Sequence, residues 1–125
     1  MRLTTTLTLS ALLLTGAPLM TGCQTSQPGV KSTYRSQWTT INANTVKTTA
    51  VAKDVLQDMK LRNIESKSTA VDGNVQGFTA DDTKITVDVK KVTDNTSQVS
   101  VYVGAMGDPD MGKDILAQIQ HKTGS

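Results

Sequence analysis

Side chains that commonly carry out catalysis are scarce in this sequence. In a chain of 125 residues, His121 is the only histidine, Glu65 the only glutamate and Cys23 the only cysteine. General acid–base catalysis usually draws on such groups. A Ser-His-Asp arrangement would depend on His121, close to the end of the chain, where helices fray. We therefore expect His121 to be a surface residue near the end of a helix, and we expect no enzymatic activity.

The acidic segment DPDMGKD, residues 108–114, has enough aspartates for a calcium loop, but the spacing is wrong. A calcium loop of this type has Gly at its sixth position and a bidentate Glu at its twelfth. Here Gly112 is fifth and Ile119 is twelfth. Asp108 followed by Pro109 is instead typical of a helix start, with a capping carboxylate and a first helical proline. We expect a structural helix cap at these two residues, and no metal or cofactor.

Cys23 follows a segment with the organisation of an export signal. The apolar run over residues 7–20 is long enough for such a signal and shorter than the ~20 residues that cross a bilayer. The small residues Thr21 and Gly22 come next, directly before the cysteine. The pattern predicts a signal peptide over residues 1–22.

The tetrapeptide Met20-Thr21-Gly22-Cys23 resembles the lipobox of bacterial lipoproteins, with Met20 at the position usually held by Leu. The resemblance implies that the Cys23 thiol receives a diacylglyceryl group and that the chain is then cut before Cys23. The alternative is a buried structural cysteine or an incidental one. A single cysteine cannot form a disulfide within the chain, so lipidation gives this residue a reason to be present.

The same resemblance implies a location. An acylated Cys23 carries up to three lipid chains, and two or more chains anchor a protein stably. Residues 23–32 have the composition of a flexible tether. Gln24, where an Asp would favour the inner membrane, implies the outer membrane facing the periplasm, with the inner membrane as the alternative. The formal charge of +2 gives no argument for nucleic acid. The expected partners are therefore the membrane and another envelope protein.

The rest of the chain alternates between period-two and helical patterns. Val30, Tyr34 and Trp38 recur on one face of a predicted strand, and valines alternate with polar residues in ITVDV and VSVYV. We predict turns at Asp72-Gly73, at Asp81-Asp82 and over 93–97. The predicted strands cover residues 31–39, 63–71, 75–80, 85–89 and 99–103, and the predicted helices cover 44–60 and a segment that starts at Pro109.

This order, β-α-β-β-β-β-α, predicts an α+β fold with an antiparallel sheet of four to five strands and two helices packed on one face. One domain is all that the length allows. The predicted organisation is a signal peptide (1–22), a lipidated N-terminus and tether (23–32), a single α+β domain (33–121) and a C-terminal tail (122–125).

Two further stretches carry a family resemblance. DGNVQGFTADDTKITVDVKKV and SQVSVYVGAMGDPD, together with the lipobox, resemble a family of small bacterial lipoproteins of the domain-of-unknown-function class. The resemblance covers about residues 33–120, and it implies the fold and the location without implying an activity.

Two functions therefore follow as hypotheses. The first is a non-catalytic interaction or accessory module, tethered at the periplasmic face of the outer membrane. The second is a binding protein for an apolar or lipid ligand held between the sheet and the helices. A ligand-binding protein needs a cavity between the sheet and the helices, whereas an interaction module does not, so the volume of that interface distinguishes the two hypotheses.

Overall fold

Two layers make up the structure: an antiparallel sheet, and two helices against one of its faces. The computed structural model describes residues 29–124. The elements are β1 (Lys31–Ser32), β2 (Ser36–Ile41), α1 (Thr45–Asp58), β3 (Arg62–Ser68), β4 (Asp72–Phe78), β5 (Lys84–Thr93), β6 (Thr96–Val103) and α2 (Pro109–Thr123). The strands lie side by side in the order β1-β2-β6-β5-β4-β3. The predicted α+β class is confirmed, with six strands instead of four to five.

The extra strand arises because the first predicted strand is interrupted. Residues 33–35 form a turn, in which the Thr33 N–H donates to Ser36 O at 2.8 Å. The Ser36 N–H donates to Thr33 Oγ1 at 3.3 Å. The threonine hydroxyl thus satisfies backbone groups that a continuous ladder would otherwise need. The prediction of one strand over 31–39 was wrong, and the segment is a hairpin of β1 and β2.

The turn also changes which side chains of this segment are buried. Tyr34 lies in the turn and is 69% exposed. Trp38 lies on the sheet face away from the helices, because its neighbours along β2 face them. The buried side chains of β2 are Gln37, Thr39 and Ile41. A single alternation through Val30, Tyr34 and Trp38 therefore does not exist in the structure.

The predicted alternation of β5 and β6 is confirmed. Side chains on alternate residues of a strand point to opposite faces, and one set here is buried against the helices. That set is Ile85, Val87, Val89, Val99, Val101 and Val103, all at 4% exposure or less. The turn between the strands is shorter than predicted, because only Asp94 and Asn95 lie outside the ladder.

The hairpin of β3 and β4 does not turn at Asp72-Gly73, so that prediction was wrong. The turn lies earlier, where the Thr69 N–H donates to Asp72 O at 2.7 Å. Gly73 is a buried strand residue, and a Cβ added to it would lie 2.0 Å from Thr49 Oγ1. The absence of a side chain at Gly73 therefore allows α1 to approach β4 closely. The Asp81-Asp82 turn is present, with Asp82 at φ 67°.

Helix α1 is capped by Asn44, the first residue of the predicted helix. Asn44 Oδ1 accepts a hydrogen bond from the Lys47 N–H at 2.8 Å. The buried face of α1 combines aliphatic residues with hydroxyls and comprises Thr45, Thr48, Thr49, Ala52, Val55 and Leu56. These hydroxyls are paired: Thr48 Oγ1 donates to Ala43 O at 3.3 Å, and Thr49 Oγ1 donates to Thr45 O at 2.7 Å. Thr45 Oγ1 lies 3.4 Å from Ser97 Oγ of β6.

Helix α2 packs closely on β2. Gly112 is buried there, and a Cβ at this position would lie 1.9 Å from Gln37 Oε1. The Gln37 amide nitrogen donates to Thr33 O at 2.9 Å, so one buried side chain connects the β1–β2 turn to the helix layer. At its other end α2 continues to Thr123 and is capped by Gly124 at φ 75°. The folded unit thus includes residues 31–32 and 122–123, beyond the predicted limits of 33 and 121.

Candidate functional site

One face of the sheet carries no helix, and we call it the open face. It displays the outward residues of all six strands. Three of the four aromatic residues of the chain lie on it, namely Trp38, Phe78 and Tyr102. Tyr102 is 40% exposed, whereas Trp38 and Phe78 are partly buried by their neighbours. Aromatic side chains on an accessible sheet face provide contact area that the core does not use.

One row of the open face runs across every strand. Its members are cross-strand neighbours, in the order Lys31, Trp38, Ser100, Asp88, Asn74 and Lys67. The side chain of Asn74 donates a hydrogen bond to the Asp88 carboxylate. The row has an aromatic residue near one side, a hydrogen-bonded polar pair near the centre and a lysine at each end. Such a surface offers both apolar contact and hydrogen bonding to a partner.

The second row contains Ser36, Tyr102, Thr86, Gln76 and Glu65, also as cross-strand neighbours. Gln76 Nε2 donates to Glu65 Oε1 at 3.4 Å. Beyond it, Phe78 lies between Arg62 and Lys84. The open face is therefore mainly polar, with Phe78 between two cations and Trp38 beside Lys31. This combination is frequent at protein contacts, where aromatic residues and Arg are enriched.

Two shallow depressions lie on this side of the sheet. One has a volume of about 430 Å³ and is lined by Asn63, Ile64, Glu65, Gln76, Phe78 and Lys84. The other has a volume of about 390 Å³ and includes Lys67, Asp72, Asn74, Asp88 and Lys90 among its lining residues. A third, of about 230 Å³, lies at one end of the domain, between the start of α1 and the end of β5. All three are open to solvent at the surface of the described domain.

The charged groups near the β4–β5 turn belong to its structure. Arg62 forms an ion pair with Asp82 across this turn. The Thr79 hydroxyl donates a hydrogen bond to the Asp81 carboxylate. This hydrogen bond, which favours the charged form, holds the pKa of Asp81 below its ordinary value. Asp81 and Asp82 therefore have separate partners, Thr79 and Arg62, and act as turn residues.

The residues singled out in the sequence do not converge on one site. Asp108 is the N-cap of α2, where its Oδ1 accepts from the Met111 N–H at 3.1 Å, and Pro109 is the first residue of the helix. His121 is exposed in the last turn of the same helix. Cys23 and the lipobox residues Met20, Thr21 and Gly22 lie outside the described residues.

Among residues 29–124, no three His, Cys, Asp or Glu side chains are placed so that they could share a metal ion. In the same range, neither helix is long and apolar enough to cross a membrane.

Sequence reasoning missed the open face as a site. The signal was present in VSVYV, because Tyr102 stands at an outward position between two buried valines. Trp38 was grouped with Val30 and Tyr34 on one face of a single strand, and the turn at 33–35 breaks that alternation. Phe78 lies on β4, whose inward positions include Gly73 and Gly77 and so lack a clear apolar alternation.

The fold and the open face define a small two-layer α+β domain with one side of its sheet available for contact. The chain matches the family described as "Protein of unknown function (DUF3568)" over residues 2–122, and it belongs to that family. No curated protein matches the chain.

Proposed function

We propose that this protein is a lipid-anchored interaction module of the bacterial cell envelope, held by an acylated Cys23 and binding another envelope protein through the open face. The outer membrane, facing the periplasm, is the proposed location. The observation that carries the proposal is the open face itself, a six-strand surface with three aromatic side chains that the core does not need.

The anchor is supported by the N-terminal sequence. The lipobox-like residues 20–23 follow an apolar run, and the family match begins at residue 2 and so includes this segment. Only six residue steps separate Cys23 from Gly29, the first described residue. At about 3.4 Å a step, they span at most about 20 Å. A domain on so short a tether works close to the membrane surface.

The alternative, an apolar ligand between the sheet and the helices, is less well supported. The side chains at the centre of that interface are completely buried, including Val87, Val101, Leu56 and Ile115. Two of the depressions lie on the open face, and the third is open to solvent at the end of the domain, between the start of α1 and the end of β5, away from these core side chains. A ligand at the centre of this interface would have to displace packed side chains. Protein interiors are close-packed, so such a displacement would destabilise the domain.

The test combines acylation and photocrosslinking in cells. A photoreactive amino acid replaces Tyr102 on the open face or, as a matched control, Lys53 on the exposed side of α1. Palmitate labelling reports on the anchor in the same cells, and the Cys23→Ser variant provides the unlabelled reference. We expect label on the native chain, none on Cys23→Ser, and a discrete crosslinked protein from position 102 only.

Two results would contradict the proposal in different ways. Equal palmitate label on the native chain and on Cys23→Ser would exclude the anchor. Equal crosslinking from positions 53 and 102, or crosslinking from position 53 alone, would exclude the open face as the contact surface.

A further inference from the structure

One end of the domain exposes three valines. Val46, Val71 and Val92 are 54%, 58% and 54% exposed, although valine is among the residues most often buried. They come from three separate segments: the first turn of α1, the β3–β4 turn and the end of β5. No single helix or strand pattern accounts for their exposure.

The three segments meet at the same end of the sheet. The Lys91 N–H donates to Val71 O at 2.9 Å, which joins the β3–β4 turn to the end of β5. The depression of about 230 Å³ at this end is lined by Val46 and Ala70 together with Lys91 and Thr93. We call this surface the valine end.

The chain enters the domain from the same side. Gly29 O accepts a hydrogen bond from Thr39 Oγ1 at 3.0 Å, so Gly29 lies beside the later part of β2. From there β1 runs antiparallel to β2, away from Ile41 and toward the turn at 33–35. Ile41 is the cross-strand neighbour of Ser97, which also pairs with Lys91 at the valine end. The entry point of the chain is therefore directed toward the valine end.

Charge at this end complements an anionic surface. Four exposed lysines lie on the elements that build it: Lys47 on α1, Lys67 on β3, and Lys90 and Lys91 on β5. Of the carboxylates at this end, Asp94 is paired with Lys91 at 3.0 Å and Asp72 is the cross-strand neighbour of Lys90. The same elements also carry Asp54, Asp58, Glu65 and Asp88 farther from the valine end, and Asp88 accepts a hydrogen bond from Asn74. Basic residues around exposed apolar side chains suit a bilayer with anionic headgroups.

We propose that the valine end is a lipid-contacting surface that rests on the headgroup region of the membrane holding the Cys23 anchor. The inference rests on the proposed anchor, because the short tether brings this end to the bilayer. The strands then stand roughly upright on the membrane, and the open face points sideways, accessible to a protein partner. Val46, Val71 and Val92 enter the interface while the nearby lysines contact anionic headgroups.

The chain provides its own control at the other end of the sheet. Met106 is 73% exposed in the loop between β6 and α2, so it is also apolar and accessible. That loop is held by the Gly104 N–H donating to Lys84 O at 2.7 Å, at the start of β5. Lys84 and Thr93 are the two ends of β5. At ~3.3 Å per residue they are separated by about 30 Å.

The experiment uses the full chain, acylated in bacteria and reconstituted into vesicles of phosphatidylethanolamine and phosphatidylglycerol. Val71→Cys or Met106→Cys introduces the only free thiol once Cys23 is acylated, because the chain has one cysteine. A small environment-sensitive fluorophore on that thiol is exposed to lipids with a nitroxide at the headgroup. We expect quenching at position 71 to exceed that at position 106 at least threefold. Adding Val46→Asp should lower the quenching at position 71 toward the value at position 106.

Each other outcome overturns the proposal. Equal quenching at the two positions, or stronger quenching at position 106, with acyl chains on Cys23 shown by mass spectrometry, refutes the orientation and leaves the anchor intact. A probe at position 71 that is shielded from aqueous iodide in native envelopes, but not quenched by nitroxide lipid, indicates that protein covers this end. An unacylated Cys23 overturns the proposed anchor and this inference together.

Discussion

The two faces of the sheet are made by the same strands and have opposite characters. Toward the helices, the buried side chains of β5 and β6 are aliphatic apart from the small hydroxyl of Ser97. Toward solvent, the intervening residues of the same two strands include Thr86, Asp88, Ser100 and Tyr102. The covered face holds the fold together, whereas the open face is free to vary in chemistry without loss of the core. We therefore expect the functional residues of this domain among the outward residues of the sheet, which the stability of the core does not require.

Val101→Asp is the strongest test of this comparison. Val101 is completely buried at the centre of β6, and an isolated carboxylate there would be desolvated without a partner. We expect a loss of more than about 4 kcal/mol, comparable with the whole stability of many domains. The variant should lack a cooperative thermal transition by circular dichroism.

The control for Val101→Asp is Ser100→Asp, which introduces a carboxylate one residue away, on the open face. The new carboxylate would face Asp88 across the strands, so a cost below about 1 kcal/mol is expected from like-charge repulsion. Ser100→Asn should remove even that cost. Similar stabilities for Val101→Asp and Ser100→Asp would show that the two faces are not distinct.

A gentler comparison uses two serines of the same strand. Ser97 is completely buried, and its hydroxyl donates to Ala43 O at 2.9 Å and lies 3.4 Å from Thr45 Oγ1. Ser97→Ala removes the donor between β6 and the start of α1 and should cost about 1–2 kcal/mol. In a domain of this size that is a fall in melting temperature of roughly 4–16 °C.

Ser100→Ala, on the open face, should change the melting temperature by less than about 4 °C, since surface substitutions usually stay within about ±0.5 kcal/mol. A larger effect at Ser100 than at Ser97 would mean that the buried hydroxyl pair at the start of α1 does not stabilise the domain.

Sequence patterns predicted some elements well for a definite physical reason. The alternation in ITVDV and VSVYV reports burial directly, because one residue in two must face the helices. The caps at Asn44 and Asp108 depend on only three or four neighbouring residues. Both kinds of signal are local, so they could be interpreted without knowing the fold.

Other features depend on contacts that no local pattern contains. Gly73 is adjacent to Asp72 and so resembles a turn dipeptide, but its role is set by Thr49 of α1, over twenty residues away. The break at 33–35 is fixed by Thr33, and Gln37 is buried because Gly112 leaves room for it. The open face had no signature as a site, since its members become neighbours only when six strands align.

The last prediction asks whether the acidic segment at the start of α2 belongs to the architecture or to a site. Asp108 Oδ1 accepts from the Met111 N–H at 3.1 Å, in the same way that Asn44 caps α1. Asp108→Ala should therefore cost about 1 kcal/mol, because a first-turn amide loses its acceptor. Asp108→Asn and Asp108→Ser should recover most of this, since either side chain can cap, and Asn already does so at the start of α1. Thermal unfolding of the three variants, with and without a chelator, is the measurement.

If Asp108→Asn and Asp108→Ser were as damaging as Asp108→Ala, or if the chelator lowered the melting temperature of the native chain, the carboxylate would have a chemical role. We expect a graded series that is insensitive to the chelator, because Pro109 already holds the backbone as the first residue of a helix requires.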